Sequence, residues 1–597
     1  MNNQALTAAR PQPPPMNILT YSIYEDFHNQ IEKSGLTLPL SCLDDEKIVN
    51  EVLQELTSSI DPIEAISFSS FLNMVVQTCE PGESARLGRR ELAEIGFGKN
   101  IGNNKVFFHR DCLLHMMSRI IIDGKNGTMQ ITGGSDRRGT KKYYKSLLLI
   151  NSKINRIGAN ARQTLLKDHF IRDYPLSYAP QATSIIFKNR LQRYWYIYSR
   201  ILPGMGGSER KLISIGINAL EKNSGLTLQD HYLVLSSVLS WFLISPVEKR
   251  KRKNEEASIL GFDYRNLGSF YINRNNFPNT DRLIRLIKFL AKDINCLQKH
   301  FIEERKDEVI GFFRYFRDFF DRSVFKIDDD RFCILDLKFL MEGLCSGFLW
   351  RIKDNASLQN DHQRLKGYYG QLIEKYFVFL IEQIFGRNRV VKVKGTGPDA
   401  KIETDDCLII FEFTTEYYRF ASLYNESTGF FSQDLKRLLF NRGKDDPDGR
   451  NKKDRGKFLK LNEYLDTVRR REQGKTIITV LVTENYLGDY DLLNQFDNIL
   501  DTKIQEYELT NLRAHKPLIL CLDDFEIFWA LSTEEKAVQD FEECYRGWEK
   551  SDKGRLLYNF SNFISSNNDA VIKNDKYLAF FDYSKFLKEL GAGLRAG

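Results

Sequence analysis

The stretch CLIIFEFT, residues 407–414, most constrains what this chain can fold into. Side chains alternate along a β-strand, so Leu408 and Glu412 share one face while Ile409 and Phe413 share the other. Both faces are apolar until Glu412, which is typical of a strand covered by helices on both sides. The stretch therefore predicts a central strand in a layered α/β domain, with a carboxylate at the edge of the core.

A carboxylate in that place is costly unless a positive charge compensates it. Asp399 ends a tight Gly-Pro turn before the neighbouring strand, close enough in a hairpin-like pairing to share a cation with Glu412. Two carboxylates and a strand carbonyl are hard oxygen ligands that suit Mg²⁺ or Mn²⁺. The plain alternative is that the Pro-Asp dipeptide is only a turn and that Glu412 faces solvent.

Helices and strands alternate around these two carboxylates. Residues 365–386 have a helical hydrophobic period closed by Gly386 as a C-cap, and RVVKV follows as a strand. Residues 442–457 hold seven basic and four acidic residues and almost nothing apolar, which predicts an exposed loop. KFLKLNEYLDTVRRR then predicts a helix, and KTIITVLVTEN and KPLILCLDD predict two more strands. This order predicts an α/β sandwich with a mixed central sheet.

The order of elements and motifs resembles the PD-(D/E)xK nuclease superfamily, which has the restriction-endonuclease-like fold. Asp399 matches the aspartate of the PD turn, and Glu412 matches the (D/E) position. Glu374, in GYYGQLIEKYF, matches the glutamate that many members carry on the first core helix. The resemblance covers roughly residues 360–535, under a third of the chain. It implies a metal-dependent nuclease with Mg²⁺ or Mn²⁺ as the cofactor.

The resemblance also implies how such a site works. Asp399, Glu412 and the carbonyl oxygen of Phe413 bind the metal, and Glu374 reaches it directly or through water. The metal polarises the phosphate and lowers the pKa of a bound water, which attacks in line. One position departs from the family pattern, because Thr414 stands where the family has a lysine. A threonine hydroxyl positions water but supplies no cation.

Two explanations of the missing lysine are open at this point. A lysine from elsewhere fills the role, either Lys401, two residues after Asp399 on the same strand face, or Lys394 on the preceding strand. Alternatively, the domain no longer cuts and instead binds nucleic acid or scaffolds a complex. A third interpretation, a helical scaffold with an accidental likeness to nucleases, leaves the ordered set of three acidic residues unexplained.

The whole chain predicts an α+β multidomain protein, in which a mostly helical N-terminal region precedes the restriction-endonuclease-like domain with its mixed sheet. Residues 1–17 lack the apolar segment of a secretory signal and predict a disordered arm. Residues 18–215 predict a mostly helical region with a small β insertion near 100–145. Residues 216–358 predict a second helical region, and residues 359–597 the nuclease-like domain with a C-terminal helical extension.

The cysteines and the apolar stretches bear on localisation. Nine scattered cysteines without a CxxC pair predict reduced thiols in a cytoplasmic protein. Residues 232–247, the longest apolar stretch, are too few to span a bilayer and predict a buried helix, so we expect no membrane segment. His109, Cys112 and His115 lack a distant partner pair of conventional zinc-site spacing, which favours a partly buried polar stripe.

Three basic clusters predict a path for a polyanion. The formal net charge of +7 permits such a partner without requiring it. Contacts with phosphate need only Lys and Arg side chains, and they give affinity without recognition of the base sequence. The alternative interpretation of each basic cluster is a charged surface exposed to solvent. We expect nucleic acid, with DNA favoured over RNA, to contact Arg137, Arg138, Lys141, Lys142, Lys249, Arg250, Lys251, Arg252, Lys452 and Lys453. By analogy with the fold, we also expect a bacterial restriction or anti-phage defence system, with a partner protein or a homo-oligomer.

Overall fold

The chain forms two compact units, residues 1–157 and 158–597, in a computed structural model. The predicted boundaries after residues 215 and 358 both fall inside the second unit. The structure describes residues 17–18, 46–78, 87–88, 90–92, 105–106, 108, 110–124, 127–132, 137–160, 180–243, 258–259, 262–263, 267, 270–273, 280–302, 319, 322–343, 345, 347, 361–393, 397–415, 457–469, 474–484, 502, 504–506, 508–515, 517–550 and 573–592.

The first unit is mainly helical where it is described. Ring packing of Phe68 against Tyr143, with centroids 5.3 Å apart, and hydrogen bonds from Ile131 and Thr132 to Glu64 at 2.8 and 2.7 Å join its segments. The elements are β1 (Asn17–Ile18), α1 (Glu46–Ser58), α2 (Pro62–Thr78), β2 (Lys105–Val106), α3 (Arg110–Asp123) and α4 (Arg138–Asn160). Near residues 100–145, where a β insertion is predicted, the described elements are β2, α3 and the start of α4.

The second unit begins with helices and two small sheets. A π-helical turn, Ile197–Ile201, and a 3-10 turn, Leu202–Gly204, follow its first helix. Strands β5 (Ala291–Lys292), β6 (Val324–Lys326) and β7 (Phe332–Ile334) make a three-stranded mixed sheet, because β5 pairs parallel and β7 antiparallel with β6. The elements up to that point are α5 (Pro180–Tyr196), α6 (Gly207–Ser224), α7 (Leu228–Leu243), β3 (Ser258–Ile259), β4 (Phe262–Asp263), α8 (Thr280–Leu290), β5 (Ala291–Lys292), α9 (Ile294–Ile302), β6 (Val324–Lys326), β7 (Phe332–Ile334) and α10 (Leu337–Glu342).

A five-stranded mixed sheet forms the centre of the second unit, and it confirms the predicted fold class. The elements are α11 (His362–Phe385), β8 (Val390–Lys392), β9 (Ala400–Glu403), β10 (Cys407–Thr414), α12 (Lys457–Arg469), β11 (Thr476–Thr483), α13 (Thr510–Ala514), β12 (Leu518–Cys521), α14 (Leu522–Leu531), α15 (Ala537–Lys550), α16 (Asp575–Phe580) and α17 (Tyr583–Ala592). The strand order is β12-β11-β10-β9-β8; β10, β11 and β12 run parallel, while β9 pairs antiparallel with both β10 and β8.

Strand β10 is buried along its whole length, as its two apolar faces predict. On one face, Phe377 of α11 stacks on Phe413 with ring centroids 5.2 Å apart. On the other face, Leu408 belongs to a buried cluster with Phe458 and Leu461 of α12. Full burial of each such side chain contributes roughly 1.5–3 kcal/mol, so the two helix layers hold the strand that carries Glu412.

No described helix is long and apolar enough to cross a bilayer. The stretch predicted as a buried helix forms most of α7, Leu228–Leu243, in which Tyr232, Val238 and Leu239 are fully buried.

Buried charged side chains join α5 to α14. Arg193 Nε lies 2.6 Å from Glu526 Oε1, and Arg190 Nη2 lies 2.5 Å from Asp523 Oδ2. Arg193 also pairs with Asp523. Burial alone would raise the pKa of Asp523, but Arg190 and Arg193 outweigh burial and hold that pKa at about 2. These ion pairs join α5, which precedes residue 359, to α14, which follows β12.

Glu484 provides a second buried link, directly after β11. The hydroxyl groups of Tyr194 on α5 and Tyr369 on α11 each donate a hydrogen bond to Glu484 Oε1 at 2.6 Å. Burial raises the pKa of Glu484 to about 7, although both hydrogen bonds act to lower it. The carboxyl end of β11 is thus tied to two helices.

Replacing Arg193 should destabilise the second unit. Arg193→Met would leave Glu526 buried without its cation, and removing one partner of a buried ion pair costs about 3–5 kcal/mol. We expect a clear drop in the denaturant midpoint of unfolding. The matched control is Arg364→Met, because Arg364 pairs with Asp361 at 3.1 Å on the surface. Equal midpoints for the two variants would contradict a stabilising role for the buried pair.

The pKa of Glu484 predicts a pH dependence of stability. The folded value of about 7 exceeds the ordinary value of 4.5, so the folded state binds more protons between those pH values. The free energy of unfolding therefore falls as pH rises through that window, by up to about 3 kcal/mol from this group. Glu484→Gln should flatten this slope in chemical denaturation series from pH 4.5 to 8. An unchanged slope in the variant would show that Glu484 is not the source of this pH dependence.

Candidate functional site

Asp399 and Glu412 come together through the antiparallel pairing of β9 with β10. Ala400 pairs with Phe411, so Asp399 lies opposite Glu412 one step further along the ladder. The backbone N–H of Phe413 donates a hydrogen bond to Asp399 Oδ2 at 2.6 Å, which fixes this carboxylate against the end of β10. Glu412 is 1% exposed, so the alternative that it faces solvent is wrong.

Lys457, the first residue of α12, supplies the positive charge that the buried carboxylate requires. Its Nζ lies 2.5 Å from Glu412 Oε1 and 3.5 Å from Asp399 Oδ2. Lys457 is buried, so the exposed loop predicted for residues 442–457 is wrong at its last residue. Two carboxylates from neighbouring strands therefore converge on one ammonium group.

Sequence reasoning missed Lys457, although the topology contains a signal for it. A helix that connects two parallel strands of one sheet begins near the carboxyl end of the first strand. Here α12 lies between the parallel strands β10 and β11, so its first turn belongs beside Glu412 and Thr414. A lysine in that first turn is consequently a candidate for the site.

The protonation of Glu412 reflects its surroundings. Burial raises its pKa to about 7; Lys457 opposes this shift, and the nearby charge of Asp399 adds to it. Glu412 Oε2 is buried and has no hydrogen-bond partner among the described residues. An unpartnered buried carboxylate oxygen is destabilising by itself, and it leaves a ligand position for a cation.

The residues present fit a divalent cation with few protein ligands. Mg²⁺ is usually bound by one or two carboxylates together with waters, which Asp399 and Glu412 can provide with the carbonyl of Phe413. The described part of the chain contains no group of three or more His, Cys, Asp and Glu side chains arranged to hold a metal.

Glu374 lies on α11 above the carboxyl end of β10. A Cβ atom on Gly370 would lie 3.1 Å from Thr415 Oγ1, and Phe377 stacks on Phe413. Positions 370, 374 and 377 share one face of a helix, which places Glu374 between those two contacts. Its side chain is half-buried, on the side of the sheet opposite Lys457.

The structure directs Lys401 away from the predicted role. Lys401 is paired with Ile410 across the ladder, two residues before Glu412, and its Nζ lies 2.8 Å from Glu403 Oε2. Hydrogen bonds from Lys401 and Lys475 lower the pKa of Glu403 to about 2. Lys401 thus belongs to a separate ion-pair group at the opposite end of β9.

The remaining predicted residues are placed as follows. Thr414 is buried on the same strand face as Glu412, and Lys394 and His109 lie outside the described residues. Cys112 and His115 are buried on α3. In the first unit, the start of α4 carries one basic cluster, in which Arg137, Arg138 and Lys141 are exposed and Lys142 is half-buried. The other two clusters, Lys249, Arg250, Lys251 and Arg252, and Lys452 and Lys453, lie outside the described residues.

Comparison with known proteins finds no matching family model, no matching curated protein and no matching solved structure. The functional interpretation therefore depends on the geometry of Asp399, Glu412 and Lys457.

Metal binding at this site predicts metal-dependent stability. Mn²⁺ at a hundred times its dissociation constant should raise the free energy of unfolding by about 2.7 kcal/mol, because it binds only the folded chain. Asp399→Asn and Glu412→Gln should each abolish most of the shift in calorimetry, whereas the control Glu403→Gln should retain it. A shift that survives both site variants would place the metal elsewhere.

Proposed function

We propose that this chain is a metal-dependent nuclease that hydrolyses phosphodiester bonds in DNA or RNA, with DNA favoured. The observation that carries the proposal is the convergence of Asp399 and Glu412, from neighbouring strands, on Lys457 Nζ. The element order, α11-β8-β9-β10-α12-β11, supports it, because this order agrees with the resemblance drawn from the sequence. A role in restriction or anti-phage defence, with a partner protein or a second copy, is proposed from fold analogy alone.

Lys457 takes the role that the family pattern gives to a lysine at the position of Thr414. The chemistry needs an ammonium group beside the two carboxylates and the scissile phosphate, and it does not depend on which element carries that group. Lys457 meets this requirement at 2.5 Å from Glu412, whereas Lys401 pairs with Glu403. The departure at Thr414 is therefore compatible with an active enzyme.

Each residue of the site has a task in this proposal. Asp399, Glu412 and the Phe413 carbonyl would hold Mg²⁺ or Mn²⁺, and Glu374 would act through a water molecule. The bound ion would polarise the phosphate and lower the pKa of the attacking water. Phe413 N–H orients Asp399. Lys457 favours the ionised form of Glu412, which a metal ligand requires, and offsets negative charge on the phosphate.

Cleavage assays test this assignment. With Mg²⁺ or Mn²⁺, we expect nicking of supercoiled plasmid or cutting of labelled single strands. Asp399→Asn, Glu412→Gln and Lys457→Met should each lower the rate at least about 100-fold, since each removes a charge that acts at the reacting phosphate. Lys401→Met is the matched control and should stay within about threefold of wild type, because Lys401 pairs away from the site.

Other outcomes are equally informative. Cutting that survives both carboxylate substitutions would contradict the proposal. Nucleic-acid binding without cutting by the wild-type chain would favour the alternative of a non-cutting domain that binds nucleic acid. A cleavage rate that falls with Lys401→Met but not with Lys457→Met would assign the role of the family lysine to Lys401 on β9.

A further inference from the structure

A second lysine of α12, Lys460, carries a further inference that rests on the proposed function. Residues three apart on a helix are neighbours on its surface, so Lys460 lies one turn beyond Lys457 on the same face. Lys460 is half-buried and has no ion-pair partner among the described residues. Lys460 thus places a second cation on the face of α12 that carries Lys457.

The position of Lys460 separates it from the reacting centre. An α-helix rises 1.5 Å per residue, so the backbone of Lys460 is about 4.5 Å further along α12 than that of Lys457. The ammonium group of Lys457 already contacts both carboxylates. Lys460 is therefore displaced along the helix from the point where the scissile phosphate would lie.

The next turn of α12 shows where this helix face leads. Tyr464 lies beside the turn that carries Asp399, since a Cβ atom on Gly397 would lie 3.8 Å from Tyr464 Cδ2. Positions 457, 460 and 464 share one face of the helix. The helix face that carries both lysines thus borders the Gly-Pro turn. A nucleic-acid strand that extends from the carboxylate pair along α12 would reach Lys460 before Tyr464.

We propose that Lys460 binds the backbone phosphate adjacent to the one that is cleaved. The substrate is then a polynucleotide held across at least two successive phosphates, not an isolated phosphodiester. Lys457 acts at the scissile phosphate, and Lys460 acts in binding.

Two substrates distinguish the roles of these lysines. Lys460→Ala should raise the KM for an oligonucleotide about 5–10-fold and change kcat less than about threefold, because it removes one phosphate contact made equally before and during reaction. The effect on bis(p-nitrophenyl) phosphate, which has a single phosphate, should be at least about fivefold smaller. Lys457→Met should impair both substrates through kcat, and Lys460→Arg should restore most of the oligonucleotide KM.

A binding measurement provides a readout apart from cleavage. In a Glu412→Gln background, Lys460→Ala should reduce the slope of log affinity against log salt by about 0.7 for single strands or 0.9 for duplex. The control Lys588→Ala removes the same charge from an exposed position on α17 and should leave the slope unchanged.

Distinct results overturn the inference and the proposed function. Metal-dependent cutting by wild type, with KM and salt slope unchanged in Lys460→Ala, would overturn the role of Lys460 alone. Equal kcat losses on both substrates would place Lys460 at the scissile phosphate and also overturn it. Absence of cutting by wild type would contradict the proposed function, and the salt slope would then decide the phosphate contact by itself.

Discussion

The ion pair between Lys457 and Glu412 joins the central strand of the sheet to the helix that covers one of its faces. A carboxylate that is 1% exposed requires a cation, and Lys457 Nζ meets it at 2.5 Å. This contact holds the first turn of α12 against the carboxyl end of β10, from which the helix leads to the parallel strand β11. Phe458 and Leu461, which follow Lys457, then pack over Leu408. One ion pair therefore connects the chemistry of the site with the layering of the fold.

The opposite face of the same sheet end carries a second buried polar group. Glu484 follows β11 and accepts hydrogen bonds from Tyr194 and Tyr369, while Arg193 pairs with Glu526 after β12. Tyr194 and Arg193 both belong to α5, which precedes the predicted domain boundary at residue 359. Their contacts therefore join α5 to the residues that follow β11 and β12. The sheet and these helices consequently form one compact unit.

Alternation along residues 407–414 predicted the central strand and its cover on both faces, because these properties are local to the sequence. The order of helices and strands around it predicted the mixed sheet. The proximity of Asp399 to Glu412 also followed from a short hairpin-like connection. Lys457 could not be found in this way, since the family motif associates the lysine with the strand and the long charged stretch before α12 hides it. The ion pairs of Arg193 were equally inaccessible, because only tertiary contacts bring α5 to the sheet.

Burial raises the pKa of Glu412 to about 7, and in the proposed function the oxygens of this buried carboxylate would also hold the metal ion. Without a divalent ion, Lys457 must compensate a buried carboxylate that is only partly ionised at neutral pH. A divalent ion would add charge to that pair and favour the ionised form, so the lysine would be freed in part to interact with a phosphate. A third carboxylate in contact with the pair would raise the cost of the metal-free fold without an additional cation. In the proposed function, the buried lysine thus compensates the two carboxylates before the ion binds and would interact with the phosphate afterwards.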